Sequence, residues 1–122
     1  MGNSKAFQKR SSIEKDSQSP SIRVVTWDRP TPLSQPEAEA MLSREGYEAF
    51  CWYDVPESSY PVHQHEYDEC LWILKGEIHF KIHEITYVLK DGDKIYLPAH
   101  TFHTSYVPTN TGVTYLVGQK RN

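Results

Sequence analysis

From Tyr47 to Gly118 apolar residues recur at alternate positions in short runs broken by turn-forming residues, and this pattern limits what the chain can become. Runs near 47–55, 59–65, 69–75, 77–83, 85–89, 94–97, 102–107 and 113–118 read as strands. Asp91-Gly92 is the strongest single turn signal among them. In the fourth run Ile78, Phe80 and Ile82 share one face, and His79, Lys81 and His83 share the other, the solvent face. Several short strands with regular turns close into a barrel or pack as a two-sheet jelly roll. The predicted fold class is all-β.

Ahead of this pattern, Ser21 to Trp27 reads as a first strand. Arg23-Val24-Val25-Thr26-Trp27 is β-prone, and Pro30 and Pro32 cannot continue a ladder. A short N-terminal helix is predicted next. Ser34 and Glu37 form a capping box, Pro36 fits a first turn, Ala38, Met41 and Leu42 make an apolar stripe, and Gly46 ends it. The helix is expected to plug one end of the barrel. Residues 1–20 are rich in Ser, Lys and Gln, with Phe7 and Ile13 as large hydrophobes, and are expected to be a disordered tail. That leaves residues 21–122 as a single domain.

A chain of 122 residues supports one core and no separate nucleotide-binding domain. Its net charge of −3 and pI near 6.0 give no basic face for nucleic acid. The longest apolar runs fall far below the ~18 residues of a membrane span, and no signal segment opens the chain. A cytoplasmic protein is expected. Met1-Gly2 resembles a myristoylation start but has Ala6 where Ser or Thr is needed. Cys51 and Cys70 are expected to be reduced and buried rather than paired.

Chemistry concentrates in His63-Gln64-His65, in Glu69 three residues beyond Tyr67's neighbour Glu66, and in a later block around His103. In an extended segment the side chains at i and i+2 share a face, so two imidazoles can reach one ion at about 2.0–2.2 Å. Three imidazoles and a carboxylate suit one divalent transition metal ion, whether Fe, Mn, Ni, Zn or Cu, and leave room for a ligand on it. Tyr53, Tyr60, Tyr67, Tyr96 and Trp52 are candidates to line a pocket around it. Cys70 adjoins Glu69 and should face the opposite side of its strand. Between Arg44 and Arg121 the chain has no arginine, which argues against phosphorylated ligands and for a small neutral or weakly acidic organic molecule.

These blocks resemble the two motifs of the cupin superfamily, G-x5-H-x-H-x3-4-E-x6-G and G-x5-P-x-G-x2-H-x3-N. The resemblance covers roughly Gly46 to Gly118. His63, His65, Glu69 and His103 fall on that family's four metal ligands, and Gly76, Gly92 and Pro98 on its turn positions. Pro98 plus five residues selects His103 rather than His100, which is then expected on the rim. Three positions depart: Glu57 and His100 stand where the motifs have Gly, and Val107 where the second closes with Asn.

The resemblance implies a double-stranded β-helix, a small-molecule ligand and a homodimer, with Ile22 to Trp27 free to join a partner's sheet. It also narrows the chemistry. Glu69 argues against cupin-like thiol dioxygenases, which use three histidines alone, and Leu71 stands where sulfonium lyases often carry Tyr. A dioxygenase-type enzyme is the leading expectation, with a nearby Tyr as proton donor. A non-catalytic ligand-binding cupin and a metal-dependent isomerase or lyase are the alternatives.

Overall fold

The computed structural model describes residues 22–121, and the tail expected over residues 1–20 lies outside them. Nine strands and one helix form among the described residues. In order they are β1 (Arg23–Val25), α1 (Gln35–Arg44), β2 (Glu48–Asp54), β3 (Ser59–His63), β4 (Asp68–Lys75), β5 (Ile78–Ile82), β6 (Ile85–Leu89), β7 (Lys94–Leu97), β8 (His103–Tyr106) and β9 (Val113–Lys120). Each overlaps a run predicted above. The difference with consequences is β3, which stops at His63 and leaves His65 on the link to β4.

Two antiparallel sheets result, one ordered β1-β7-β4-β9-β2 and the other β3-β8-β5-β6. From β2 to β5, and again from β6 to β9, the chain changes sheet at every connection, which is the jelly-roll winding. The core between the sheets comes from the period of two. Leu71 and Ile73 of β4, Ile95 and Leu97 of β7, and Tyr115 and Val117 of β9 meet Ile78, Phe80 and Ile82 of β5. Each fully buried Ile or Leu here contributes roughly 1.5–3 kcal/mol of transfer free energy.

The alternate residues of the larger sheet build a second cluster on its outer face. Helix α1 lies there. Ser34 Oγ accepts from the Glu37 amide at 3.3 Å, and the buried Ala38 and Leu42 pack on Tyr47, Cys70, Trp72, Tyr96 and Leu116. The expectation that the helix plugs a barrel end is therefore corrected. Its stripe finds the apolar outer face that β4, β7 and β9 present, and burial there completes a layer. Cys70 is buried beneath it, whereas Cys51 is exposed on β2, against expectation, and both thiols are free.

The departures from the turn pattern have a backbone reading. Glu57 and His100 adopt φ of 70° and 65°, so the left-handed conformation that glycine takes without cost is kept here by residues with side chains. Val107 is fully buried in the core, and its amide and carbonyl bond Ser58 O and the Glu57 amide at 2.9 and 3.0 Å. A core side chain and two backbone bonds hold the end of β8 there.

Candidate metal centre

His63 ends β3 directly opposite His103, the first residue of β8. Their rings lie 4.3 Å apart between centroids, and His65 stands 5.0 Å from the first and 5.6 Å from the second. One ring nitrogen from each of the three falls within 4.8 Å of the other two. Glu69, the second residue of β4, approaches from the facing sheet, with oxygens 3.6 Å from His65 Nε2 and 3.9 Å from His103 Nε2. It reaches two of the imidazoles and stands outside the tight trio.

Hydrogen bonds at the back of each ring fix which nitrogen faces the cluster. His63 Nδ1 lies 2.7 Å from Pro61 O, and His103 Nδ1 lies 2.8 Å from Thr101 O. A carbonyl only accepts, so both Nδ1 atoms carry the proton and, in the neutral rings, both Nε2 atoms present a lone pair. His65 Nδ1 meets Tyr67 Oη at 3.1 Å, and the two rings stack at 4.9 Å. Such capped imidazoles are what metal ligation requires. The buried Glu69 supplies the second test of fit: among the described residues no donor comes within hydrogen-bond length of its carboxylate. A buried, unpaired carboxylate beside two imidazole lone pairs and a third ring, whose Nδ1 can donate to the Tyr67 hydroxyl, fits a divalent cation.

The cluster opens into a cavity of about 290 Å³. Of the pocket candidates, Trp52, Tyr60 and Tyr67 line it, while Tyr53 and Tyr96 do not. Alternation gives the reason. Tyr53 adjoins Trp52 and must face the other way, where its hydroxyl sits against Gly112. Tyr96 lies on the outer face of its sheet and donates to Glu45 Oε1 at 2.8 Å. His79 pairs with Glu77 at 2.7 Å, and His100 sits beyond the trio, with Nδ1 3.1 Å from Gln64 Oε1.

Sequence reasoning did not single out Phe50, Tyr115, Val117 and Gln119, which also line the cavity. They occupy alternate positions of β2 and β9. The signal was present as i, i+2 spacing, but only the sheet order shows which face it serves.

A cupin domain family model matches residues 52–118, more than half of the chain and both motif blocks. The chain is a cupin. No curated protein matches its sequence. Among solved structures it is similar to an RmlC-like cupin from Shewanella frigidimarina, with a TM-score of 0.56 and 22% identity over 63% of this chain and 68% of that one. It is similar to the DMSP lyase DddQ from Ruegeria pomeroyi at TM-score 0.56 and 24% identity, over 63% of this chain and 39% of the lyase. KdgF from Halomonas sp. aligns over 83% of this chain and 80% of its own, at TM-score 0.54 and 19% identity. Likeness at these identities is likeness of fold.

In this cupin, burial dominates the electrostatics of the cluster. It pushes the Glu69 carboxyl up to about 7. It also pulls His65 and His103 below the ordinary imidazole value, with neighbouring imidazoles adding to the effect and the Thr101 carbonyl opposing it at His103. The protein alone therefore favours neutral rings at His65 and His103 and holds back the ionisation of Glu69, which a bound cation would restore. No described helix of the cupin is long and apolar enough to cross a membrane.

Proposed function

We propose that this cupin is a small metal-dependent enzyme of dioxygenase type, acting on a neutral or weakly acidic organic molecule. His63, His65, Glu69 and His103 would hold one divalent transition metal ion. The observation that carries the reading is the cluster itself: three imidazoles with their back nitrogens capped, beside an unpaired buried carboxylate, on one wall of a cavity lined by aromatic rings. A redox-active ion in such a set supplies dioxygen activation, and a redox-inert one supplies Lewis acidity.

The chain's own residues supply the rest. Phe50, Trp52, Tyr60 and Phe80 give the cavity apolar faces that position a small organic molecule and keep water from it. Tyr67 Oη accepts from Gln119 Nε2 at 3.2 Å and, when Nδ1 of His65 carries the proton, from that ring as well. With its oxygen so occupied, the phenol has its proton to give. Tyr67 is the proton donor of this reading. The homodimer belongs to the same reading, with the outer edge of β1 as its candidate seam.

A redox-inert lyase or isomerase is the second reading. It is favoured by the Tyr67 arrangement, which serves proton transfer with or without dioxygen, and by the lyase among the fold neighbours. Leu71, which lines the cavity two residues after Glu69, carries no proton to exchange.

Elemental analysis of untagged protein beside His103→Ala, followed by oxygen uptake with a catechol and flavonoid panel, tests the proposal. Near one Fe, Mn, Ni or Cu per chain, lost in the variant and accompanied by oxygen uptake, is the expected result. Product formation without oxygen uptake moves the assignment to the second reading. Ligand binding without turnover leaves a sensing barrel.

A further inference from the structure

Asp54, the last residue of β2, is a buried carboxylate with 6% of its surface exposed. Three side chains converge on it: Tyr60 Oη at 2.7 Å and Trp52 Nε1 at 3.0 Å on Oδ1, and Tyr115 Oη at 2.6 Å on Oδ2. All three of these rings line the cavity, and Asp54 stands behind them. An ionised carboxylate accepts and cannot donate, while a phenol has one proton. Tyr60 and Tyr115 have thus committed their protons away from the cavity, and their oxygens have only lone pairs left to offer a ligand.

The other end of the cavity has the opposite polarity. Tyr115 and Gln119 lie four residues apart on β9, about 13 Å along the strand. At the Gln119 end Tyr67 has its proton to give when His65 Nδ1 carries its own, as ligation through His65 Nε2 requires, and the Arg121 guanidinium sits 5.2 Å over the Tyr67 ring. No lysine or arginine is among the residues lining the cavity. One end accepts, the other donates, and the imidazoles lie along the wall between them.

We propose that Asp54 is a specificity-determining residue: by taking the phenolic protons of Tyr60 and Tyr115 it makes one end of the cavity an acceptor surface, selecting a ligand that carries a hydroxyl or ammonium group away from its metal-binding group. A ligand with a carboxylate or phosphate at that position meets lone pairs and a buried carboxylate, and is rejected. This deepens the metal-enzyme reading and rests on it for the other end of the ligand.

Four catechols with one chelating head test the proposal by calorimetry: dopamine, 3,4-dihydroxyphenylethanol, 4-ethylcatechol and 3,4-dihydroxyphenylacetate. Each is titrated into Zn-loaded and metal-free protein, Zn keeping the catechol from oxidation. The ammonium and hydroxyl tails are expected to bind about tenfold tighter than the carboxylate, and the hydroxyl tail about threefold tighter than the ethyl. In Asp54→Asn the new amide needs an acceptor, so a tyrosine turns its proton into the cavity and the order contracts towards the carboxylate tail. Tyr60→Phe keeps the Asp54 charge and removes one acceptor, so the advantage of hydroxyl over ethyl falls while that of ammonium over carboxylate persists.

Equal binding of hydroxyl and ethyl tails by the unaltered protein overturns the proposal, as does an order unmoved by either variant, or no binding by any of the four. The metal reading fails separately: if Zn tightens none of the four while the tail order holds, Asp54 selects but the histidines do not ligate.

Discussion

Strand β4 serves two regions of unlike character, and its alternate residues show how they differ. Glu69, Leu71 and Ile73 face the inside, where an unpaired carboxylate gives way within two residues to core. Cys70 and Trp72 face the helix. On that outer face the polar groups answer one another. Trp72 Nε1 donates to Gly92 O at 3.0 Å, Tyr96 donates to Glu45, and the buried Lys94 ammonium lies 4.0 Å over the Trp72 ring and 3.9 Å from Glu45. On the inner face the imidazole nitrogens and the Glu69 oxygens point at one another with no proton shared between them. The helix side has its polar groups satisfied for stability, and the cluster side keeps donor atoms free for a guest.

The contrast can be broken most sharply at His63. In His63→Ala, metal occupancy is expected to collapse while the melting temperature of the metal-free protein stays close to that of the parent, because the residue is half-buried and belongs to neither hydrophobic cluster. His79→Ala should match the parent in both. Equal metal content in the two variants would sink the ligand assignment. The reverse behaviour is expected on the other face, where Trp72→Ala loses about 3–5 kcal/mol in a denaturant melt yet retains metal in its folded fraction.

Glu69→Gln sharpens the comparison through pH. A carboxyl raised in the fold from 4.5 to about 7 is penalised whenever it is ionised, so its cost is absent below the unfolded value and complete above the folded one. Metal-free Glu69→Gln should therefore match the parent near about pH 4.5 and exceed it by roughly 1–3 kcal/mol near about pH 8. His65 and His103, whose pKa values burial pulls below the ordinary imidazole value, are neutral near about pH 8, so the difference there reads the Glu69 charge. A constant offset across this range would show that burial does not control Glu69.

The smallest effect concerns the turns that frame the cluster. Glu57→Gly and His100→Gly should each stabilise by up to about 1 kcal/mol, relief of the left-handed backbone being offset by the freer unfolded chain. Chemical denaturation checks it, and a loss of stability in both would mean that their side chains hold the turns.

Much of this was legible in the sequence because it is written in spacing. Alternation placed the strands, and His63-x-His65 with Glu69 and His103 brought the chemistry together before any sheet was known. What alternation cannot say is which strands become neighbours. Trp52 and Tyr53 therefore looked equally eligible for the pocket, although adjacent residues must part to opposite faces. Tyr115 carried no mark of its own until β9 was seen between β4 and β2. The helix was visible through its cap and stripe, yet its docking surface is assembled from Tyr47, Trp72, Tyr96 and Leu116, distant in sequence. Glu57 and His100 hide their backbone conformation, because the residue that announces it is absent.

Strand β3 ends at His63, so His63 and His103 ride on paired strands while His65 rides on the short link that follows. The candidate ligands thus stand on unlike supports, two on a strand ladder and one on a link tied by the bond from the His100 amide to the His65 carbonyl at 2.8 Å. Under the proposed metal reading, a change of ion radius would be met at residues 64–67 before the ladder of His63 and His103 had to bend, and such a scaffold would by itself discriminate little between one divalent metal and the next. Cellular supply would then decide which ion the barrel carried.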